Sequence, residues 1–221
     1  MSAATLLVLF ALGAGLLAML SWPARRGPGQ APSRIRGLRR LFVLMLCGVV
    51  LCALLLAVTV QGYRPWRPGT LIAELAVNSV GPRAFEVRLS LPGKIPQRLT
   101  LHGDQWQLDV RLLRWKLPAA LLGSPRIYLP DRLSGRYADL EAERLAPRTV
   151  HALAAAQHWD AWRLQRRFAG WLPILASDYG SSAYLPLIDD TRFRVEVGDV
   201  GGIVAYPADA QTARRLREQD W

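Results

Sequence analysis

Acidic residues are absent from the first 62 positions of this 221-residue chain, where six arginines are the only formal charges. Lysine is scarce throughout, with Lys94 and Lys116 alone, so the arginine dominance reflects composition and not a site. The two cysteines, Cys47 and Cys52, both fall inside one apolar run. Five residues apart on a helix they point about 140° apart and cannot bridge locally. They read as small packing residues, and a disulfide framework or cysteine metal cluster is excluded. No Gly-rich phosphate cradle and no paired-carboxylate motif stands out. Asp178-Tyr179-Gly180-Ser181-Ser182 lacks the Gly-x-Ser-x-Gly spacing of a nucleophile elbow, since Ala183 and Tyr184 follow. Neither apolar run holds an Asp, Glu, Lys, Arg or His. Ionisable groups within a bilayer mark ion paths, so their absence argues against transport by this chain alone.

What is present begins with those two runs, Ala3 to Leu20 and Leu41 to Val60. At about 1.5 Å per residue each approaches the ~30 Å hydrocarbon thickness. Positive charge follows the first run at Arg25 and Arg26, and only Met1 and Ser2 precede it. That order fits an N-out anchor and not a cleaved signal peptide. Arg25, Arg26, Arg34, Arg36, Arg39 and Arg40 crowd the connector, which predicts a cytoplasmic loop. The expected organisation is a transmembrane helix over 1–22, a basic loop over 23–40, a second transmembrane helix over 41–62 and a periplasmic domain over 63–221. Trp22 would mark the inner interface, with Tyr63 and Trp66 at the outer one. Small residues at four-residue spacing (Ala11 with Gly15, Ala14 with Ala18, Gly48 with Cys52, Ala53 with Ala57) allow close helix approach. More than half of the +11 net charge sits in the connector, and residues 63–221 carry 22 basic against 17 acidic groups. The basic balance is therefore a topology signal, and nucleic acid is not an expected partner.

Beyond residue 63 the hydrophobic period becomes two. Phe85, Val87, Leu89 and Leu91 alternate with Glu86, Arg88 and Ser90, and Trp106, Leu108, Val110 and Leu112 alternate with Gln107, Asp109 and Arg111. Each pattern predicts a strand with one buried face. Further strands are expected over 71–78, 98–102, 126–129, 183–187, 192–197 and 203–206, with helices over 140–145 and 149–168. The predicted fold is membrane-anchored α+β: two N-terminal transmembrane helices and a mainly antiparallel β domain with one or two inserted helices.

Three clusters are candidate contacts. In His102-Gly103-Asp104-Gln105-Trp106, the Gly-Asp pair reads as a hairpin turn, and Asp104 is a candidate acid beside the Trp106 ring. Tyr128 to Tyr137 packs Arg132, Arg136 and Tyr137 close together, and guanidinium forks suit anionic or sugar-like ligands, or equally internal ties to Asp104 or Asp109. Asp178 and Tyr179 open the third cluster, which otherwise reads as a loop. His151 and His158 would share a helical face but sit too far apart for one zinc ion, so no metal or other cofactor is expected.

Gly103-Asp104-Gln105-Trp106, Leu133-Ser134-Gly135-Arg136-Tyr137 and Tyr179-Gly180-Ser181-Ser182-Ala183-Tyr184-Leu185-Pro186 resemble a family of uncharacterised proteobacterial inner-membrane proteins often labelled cation or multidrug efflux pumps. The resemblance covers the soluble domain best, supplies no catalytic residues, and implies an inner-membrane location. The expected function is an anchored periplasmic binding or assembly module, not an enzyme, with the bilayer and an envelope protein or second copy as partners. The alternatives are an accessory subunit of an efflux or other transport complex and an envelope hydrolase using His102, His151 or His158.

Overall fold

The computed structural model describes residues 3–22, 34–115, 126–154, 160–167, 175–199 and 202–221. They form two compact units, 1–64 with 158–167 and 65–157 with 168–221.

The first unit is built on a helical hairpin of α1 (Ala3–Leu20) and α2 (Arg34–Thr59). Ala11 and Ala18 of α1 and Val43, Ala53 and Ala57 of α2 are buried, while Leu, Phe and Met side chains all round both helices stay exposed. Alanines line the buried side of the hairpin, and of the four small-residue pairs only Ala53 with Ala57 is buried at both positions. Gly15 and Gly48 take no part in this contact, since a Cβ built on either would meet nothing within 4 Å. The Arg39 guanidinium donates to the Ser21 carbonyl at 2.6 Å. A cation there satisfies an orphan carbonyl just past α1 and complements the helix dipole. Arg34 to Arg40 thus begin α2 instead of lying in a loop, and residues 23–33 fall outside the described part.

Within α2, the span Gly37–Thr59 holds an 18-residue apolar window with a mean hydropathy of 3.1, only 17% of it buried, so it is long and apolar enough to cross a membrane. A core helix of a soluble protein would hide such a surface. The apolar stretch of α1, Ala4–Leu20, is shorter. In the same unit, Asp160 starts a short helix: its carboxylate accepts from Trp162 N–H at 3.1 Å and from the Tyr63 hydroxyl at 2.8 Å. Tyr63 is therefore a buried hydrogen-bonded residue and not an exposed belt residue.

The strands are β1 (Arg64–Pro65), β2 (Leu71–Gly81), β3 (Ala84–Ser90), β4 (Gln97–His102), β5 (Gln105–Trp115), β6 (Ile127–Arg136), β7 (Val150–Ala152), β8 (Leu175–Pro186), β9 (Thr191–Val197) and β10 (Ile203–Pro207). The remaining helices are α3 (Leu140–Leu145), α4 (Ala161–Arg167) and α5 (Ala210–Arg217). One sheet has the order β1-β6-β5-β8 with β7 also on β6, and the other runs β10-β9-β2-β3-β4. The recorded pairings are antiparallel. Alternate residues of both sheets fill one core, including Ile72, Leu75, Val87, Leu89, Leu101, Trp106, Leu108, Leu133 and Phe193. Trp106 and Phe193 meet across it at 5.4 Å. Trp66 also joins this core, its ring edge-on to Tyr128 at 5.8 Å, so it does not mark a membrane interface.

The two sheets are tied where β4 ends. Gly103 has φ +135, and a Cβ there would stand 2.5 Å from the Arg136 carbonyl oxygen. A Cβ on Gly135 would run into the His102 carbonyl oxygen. Asp104 N–H donates to that Arg136 carbonyl at 2.8 Å, and Asp104's own carbonyl accepts from Leu187 N–H at 2.9 Å. Gly103-Asp104 is thus no hairpin turn. β4 and β5 belong to different sheets, and the glycine carries the chain between them.

Four other expectations are corrected. The segment 149–168 is not one helix: Val150–Ala152 pairs with Arg132–Ser134, and Asp160 supplies the cap that starts α4. Residues 155–159 and 168–174, with His158 among them, lie outside the described part. The short strand expected at 126–129 continues to Arg136, because Pro130 falls at a bulge where a missing N–H is tolerated. β8 absorbs 178–182, with a register shift against β5 between Val110 and Leu112. Helix α5 was not foreseen; Asp209 caps it by accepting from Thr212 N–H at 2.7 Å.

The close approach at the sheet corner predicts a contrast between glycines. Gly135→Ala should cost about 1–3 kcal/mol, as overpacking does, whereas Gly48→Ala should leave stability within about 0.5 kcal/mol. Thermal melts of the two variants in detergent check this.

Candidate functional site

Three sequence clusters converge on one sheet face. Because Trp106 and Leu108 point into the core, Gln105, Gln107 and Asp109 of β5 point outward. The register then sets three rows across β6, β5 and β8: Arg136, Gln105 and Pro186; Ser134, Gln107 and Tyr184; Arg132, Asp109 and Ser182. These rows collect residues from all three motifs singled out in the sequence.

At the centre lies Asp109, a buried carboxylate. Its Oδ2 accepts from Arg132 Nε at 2.5 Å, and its Oδ1 accepts from Ser182 Oγ at 2.5 Å and Gln107 Nε2 at 2.7 Å. Burial alone would push this carboxyl up, but the bonds from Ser182, Gln107 and Arg132, with the guanidinium charge, outweigh it. The group is held below its ordinary value. Asp109 in turn raises Arg132, whose side chain is 53% exposed. Below this row Arg111 reaches Asp131 at 2.6 Å. Ser134 Oγ is buried with no hydrogen-bond partner among the described residues.

The upper rows carry a different chemistry. The Arg136 guanidinium lies over the Tyr184 ring at 5.3 Å, and Trp221 meets that ring edge-on at 6.5 Å. Tyr184 is 48% exposed and Trp221 49%. A cation stacked on one of two half-exposed aromatic rings is a feature of recognition surfaces.

The other sequence candidates divide. Trp106 is wholly in the core, on the opposite side of the sheet, with no acceptor for its indole N–H among the described residues. Asp104 is not beside it: its carboxylate takes Arg83 at 3.1 Å and Ala138 N–H at 3.1 Å, so it ties the corner. Tyr137 is likewise a tie. Its N–H donates to Glu143 at 2.8 Å, its hydroxyl to the Pro147 carbonyl at 3.1 Å, and Arg83 lies 6.0 Å from its ring. Asp178 sits on β8 opposite Leu112, with Tyr179 next in the chain. The side chains of Asp178 and Tyr179 lie outside the described part. His151 meets the Thr100 carbonyl at 2.8 Å. The sequence offers Asp109 as an internal tie for the arginines of its second cluster, and Arg132 makes that tie. It gives no role to Ser182, Tyr184 or Trp221, because nothing local shows what flanks them.

The fold and this surface define an α+β protein with two antiparallel sheets and one membrane-length apolar helix. No protein-family model matches the chain, and no curated protein or solved structure is significantly similar to it.

A depressed carboxyl adds stability above its unfolded value of about 3.9, and that contribution is lost as pH falls through the folded value. Asp109→Asn should therefore cost about 1–3 kcal/mol at neutral pH by leaving Arg132 without its charged partner. It should also flatten the acid limb of the stability curve below about pH 4. Denaturant titrations of both proteins at a series of pH values check the sign.

Proposed function

We propose that the chain is a membrane-anchored binding or assembly module whose β domain presents the Arg136–Tyr184–Trp221 surface to an envelope protein or a second copy of the chain. The observation that carries this reading is the half-exposed aromatic pair beside a stacked arginine. Aromatic and arginine side chains supply much of the affinity at protein interfaces, the aromatics by burying large areas at low entropic cost and arginine through its planar fork of donors. The polar row around Asp109 would serve as rigid support for that surface, not as its contact.

In this reading α1 crosses the membrane together with α2. Its 18 residues span about 27 Å at 1.5 Å each, close to the ~30 Å hydrocarbon core. The arginines of the connector then stay in the cytoplasm, and the N-terminus and the β domain face the periplasm of a bacterial inner membrane. An accessory role in an efflux or other transport complex is one form this module could take. The absence of charged residues from both helices argues against a conducting role for the chain itself.

Two measurements test the proposal. Alkaline phosphatase fused after Trp221 should be active in cells, and an inactive fusion beside a fluorescent cytosolic one would overturn the orientation. A photo-crosslinking residue at position 184 should give a discrete adduct that one at exposed Val80 does not. That adduct should weaken at least about tenfold in an Arg136→Ala, Trp221→Ala background. Equal, diffuse labelling from both positions would remove the binding surface.

A further inference from the structure

The outer face of the second sheet shares its carboxylates unevenly among four arginines: Arg194 takes both Glu74 and Glu196, while other arginines of the face have fewer partners. Across four strands the register aligns Arg98 of β4, Arg88 of β3, Ala76 of β2 and Arg192 of β9. Like charges directly opposite one another, as Arg88 and Arg98 are, destabilise a sheet unless an anion intervenes. The nearby acids are already engaged. Glu86 pairs with Arg98 at 3.6 Å and Glu74 with Arg194 at 3.5 Å. Asp209 spends its carboxylate on the α5 cap, where bonds from Thr212 hold it below its ordinary value. Arg88 and Arg192 form no ion pair among the described residues, although Arg192 feels the charge of Asp209.

Between these two arginines the side chain is a single methyl group. Ala76 floors an open groove of about 310 Å³, also lined by Glu74, Ser90 and Asp209. Its strand lies one spacing of ~4.8 Å from each neighbour, so the backbones that carry the two arginines stand ~10 Å apart on either side of the hollow. That distance suits one ligand held from both sides.

We propose that this groove binds a phosphoryl group. A phosphate monoester carries about −1.5 to −2 charges and three acceptor oxygens at pH 7, enough for two guanidinium forks and the Ser90 hydroxyl. A carboxylate, with one charge and two oxygens, would match only half of the charge of the two arginines. The group can come from a soluble phosphate monoester or from a lipid headgroup, and the hollow recognises what they share. The site is on the other sheet from the Arg136 surface and does not depend on that surface's role.

The test uses the full chain in neutral detergent at constant ionic strength. Glycerol 3-phosphate and the short-chain lipid dihexanoyl phosphatidic acid are titrated separately, with phosphorus NMR linewidth and thermal shift as readouts. Saturable broadening by at least one of them, competed by sulfate and not by chloride, is expected. Binding of glycerol 3-phosphate assigns a soluble source, and binding of the lipid alone assigns a headgroup. The double variant Arg88→Gln, Arg192→Gln should weaken binding about tenfold or more, and Ala76→Leu should do the same by filling the hollow with both charges intact. Arg98→Gln should change it by less than about twofold. The single variants Arg88→Gln and Arg192→Gln, both at exposed positions, provide a second measurement if Ala76→Leu disturbs the fold. Absence of saturable binding by either probe at millimolar concentration, or binding indifferent to the Arg88 and Arg192 variants, overturns the proposal.

Discussion

The arrangement of both sheets depends on one backbone contact, the approach of His102-Gly103 to Gly135-Arg136. Two sheets can share a core only if the chain passes between them without leaving buried polar groups unpaired. Here the passage is a single bend, and the absence of two Cβ atoms lets β4 lie against the end of β6. The hydrogen bonds made at that point then fix everything downstream. Asp104 N–H locks Arg136, Arg136 is opposite Gln105, and that pair sets the register of β5 on β6. A one-residue slip would move Trp106 out of the core and bring Asp109 into it. The same bend aligns the Leu187 amide with Asp104 and so places the end of β8. The outer-face rows are a consequence of the corner, not an independent construction.

The exposed apolar surface of α1 and α2 is what the proposed membrane location explains. In water a surface lined with Leu, Phe and Met on every side would collapse or aggregate; in hydrocarbon it costs nothing to leave exposed. The buried positions are accordingly few and small, and the contact is made by alanines and Val43. The groove beside them, lined by Gly15, Ala18, Met19, Trp22, Val43, Cys47 and Val50, is almost entirely apolar. Its chemistry matches acyl chains, which need no specific partner. Arg39, bound to the Ser21 carbonyl, shows that at least one arginine of the basic stretch also closes the hairpin structurally.

What the sequence made legible follows from range. Strands β3 and β5 are written in clean alternation, and α3 is an acidic stretch between Asp139 and Pro147, so local pattern suffices for them. Helix α5 was missed because it buries only Thr212 and Leu216 and is otherwise polar; its one signal is Asp209 three residues before Thr212. Strands β6 and β8 were cut short because each contains a feature that locally reads as a break, Pro130 in one and Gly180-Ser181-Ser182 in the other. Bulges absorb both, and a bulge is visible only against its partner strand. The candidate surface was half legible for the same reason. Arg132 and Arg136 stand out by composition, but the partners that define their roles, Asp109 and Tyr184, arrive through pairings that no local window contains. Asp104, Trp106 and Tyr137 drew attention for the opposite reason: they are conspicuous residues serving the corner and the core.

The two outer faces finally differ in how their charge is satisfied, and this separates support from recognition. Around Asp109 both carboxylate oxygens meet donors at 2.5 to 2.7 Å, so bringing a new ligand there would first require breaking the half-exposed pair with Arg132 and the bonds from Ser182 and Gln107. Such a network is costly to open and rigidifies the strands that carry it. The side chains above it, Arg136, Tyr184 and Trp221, are held by ring contacts that a partner can extend without loss. On the opposite sheet the balance is reversed: the carboxylates are committed to Arg98, to Arg194 and to the α5 cap, while two guanidiniums remain over an alanine. The register of the first sheet completes the hydrogen bonding around Asp109, whereas that of the second places Arg88 and Arg192 on either side of Ala76 without an ion pair among the described residues.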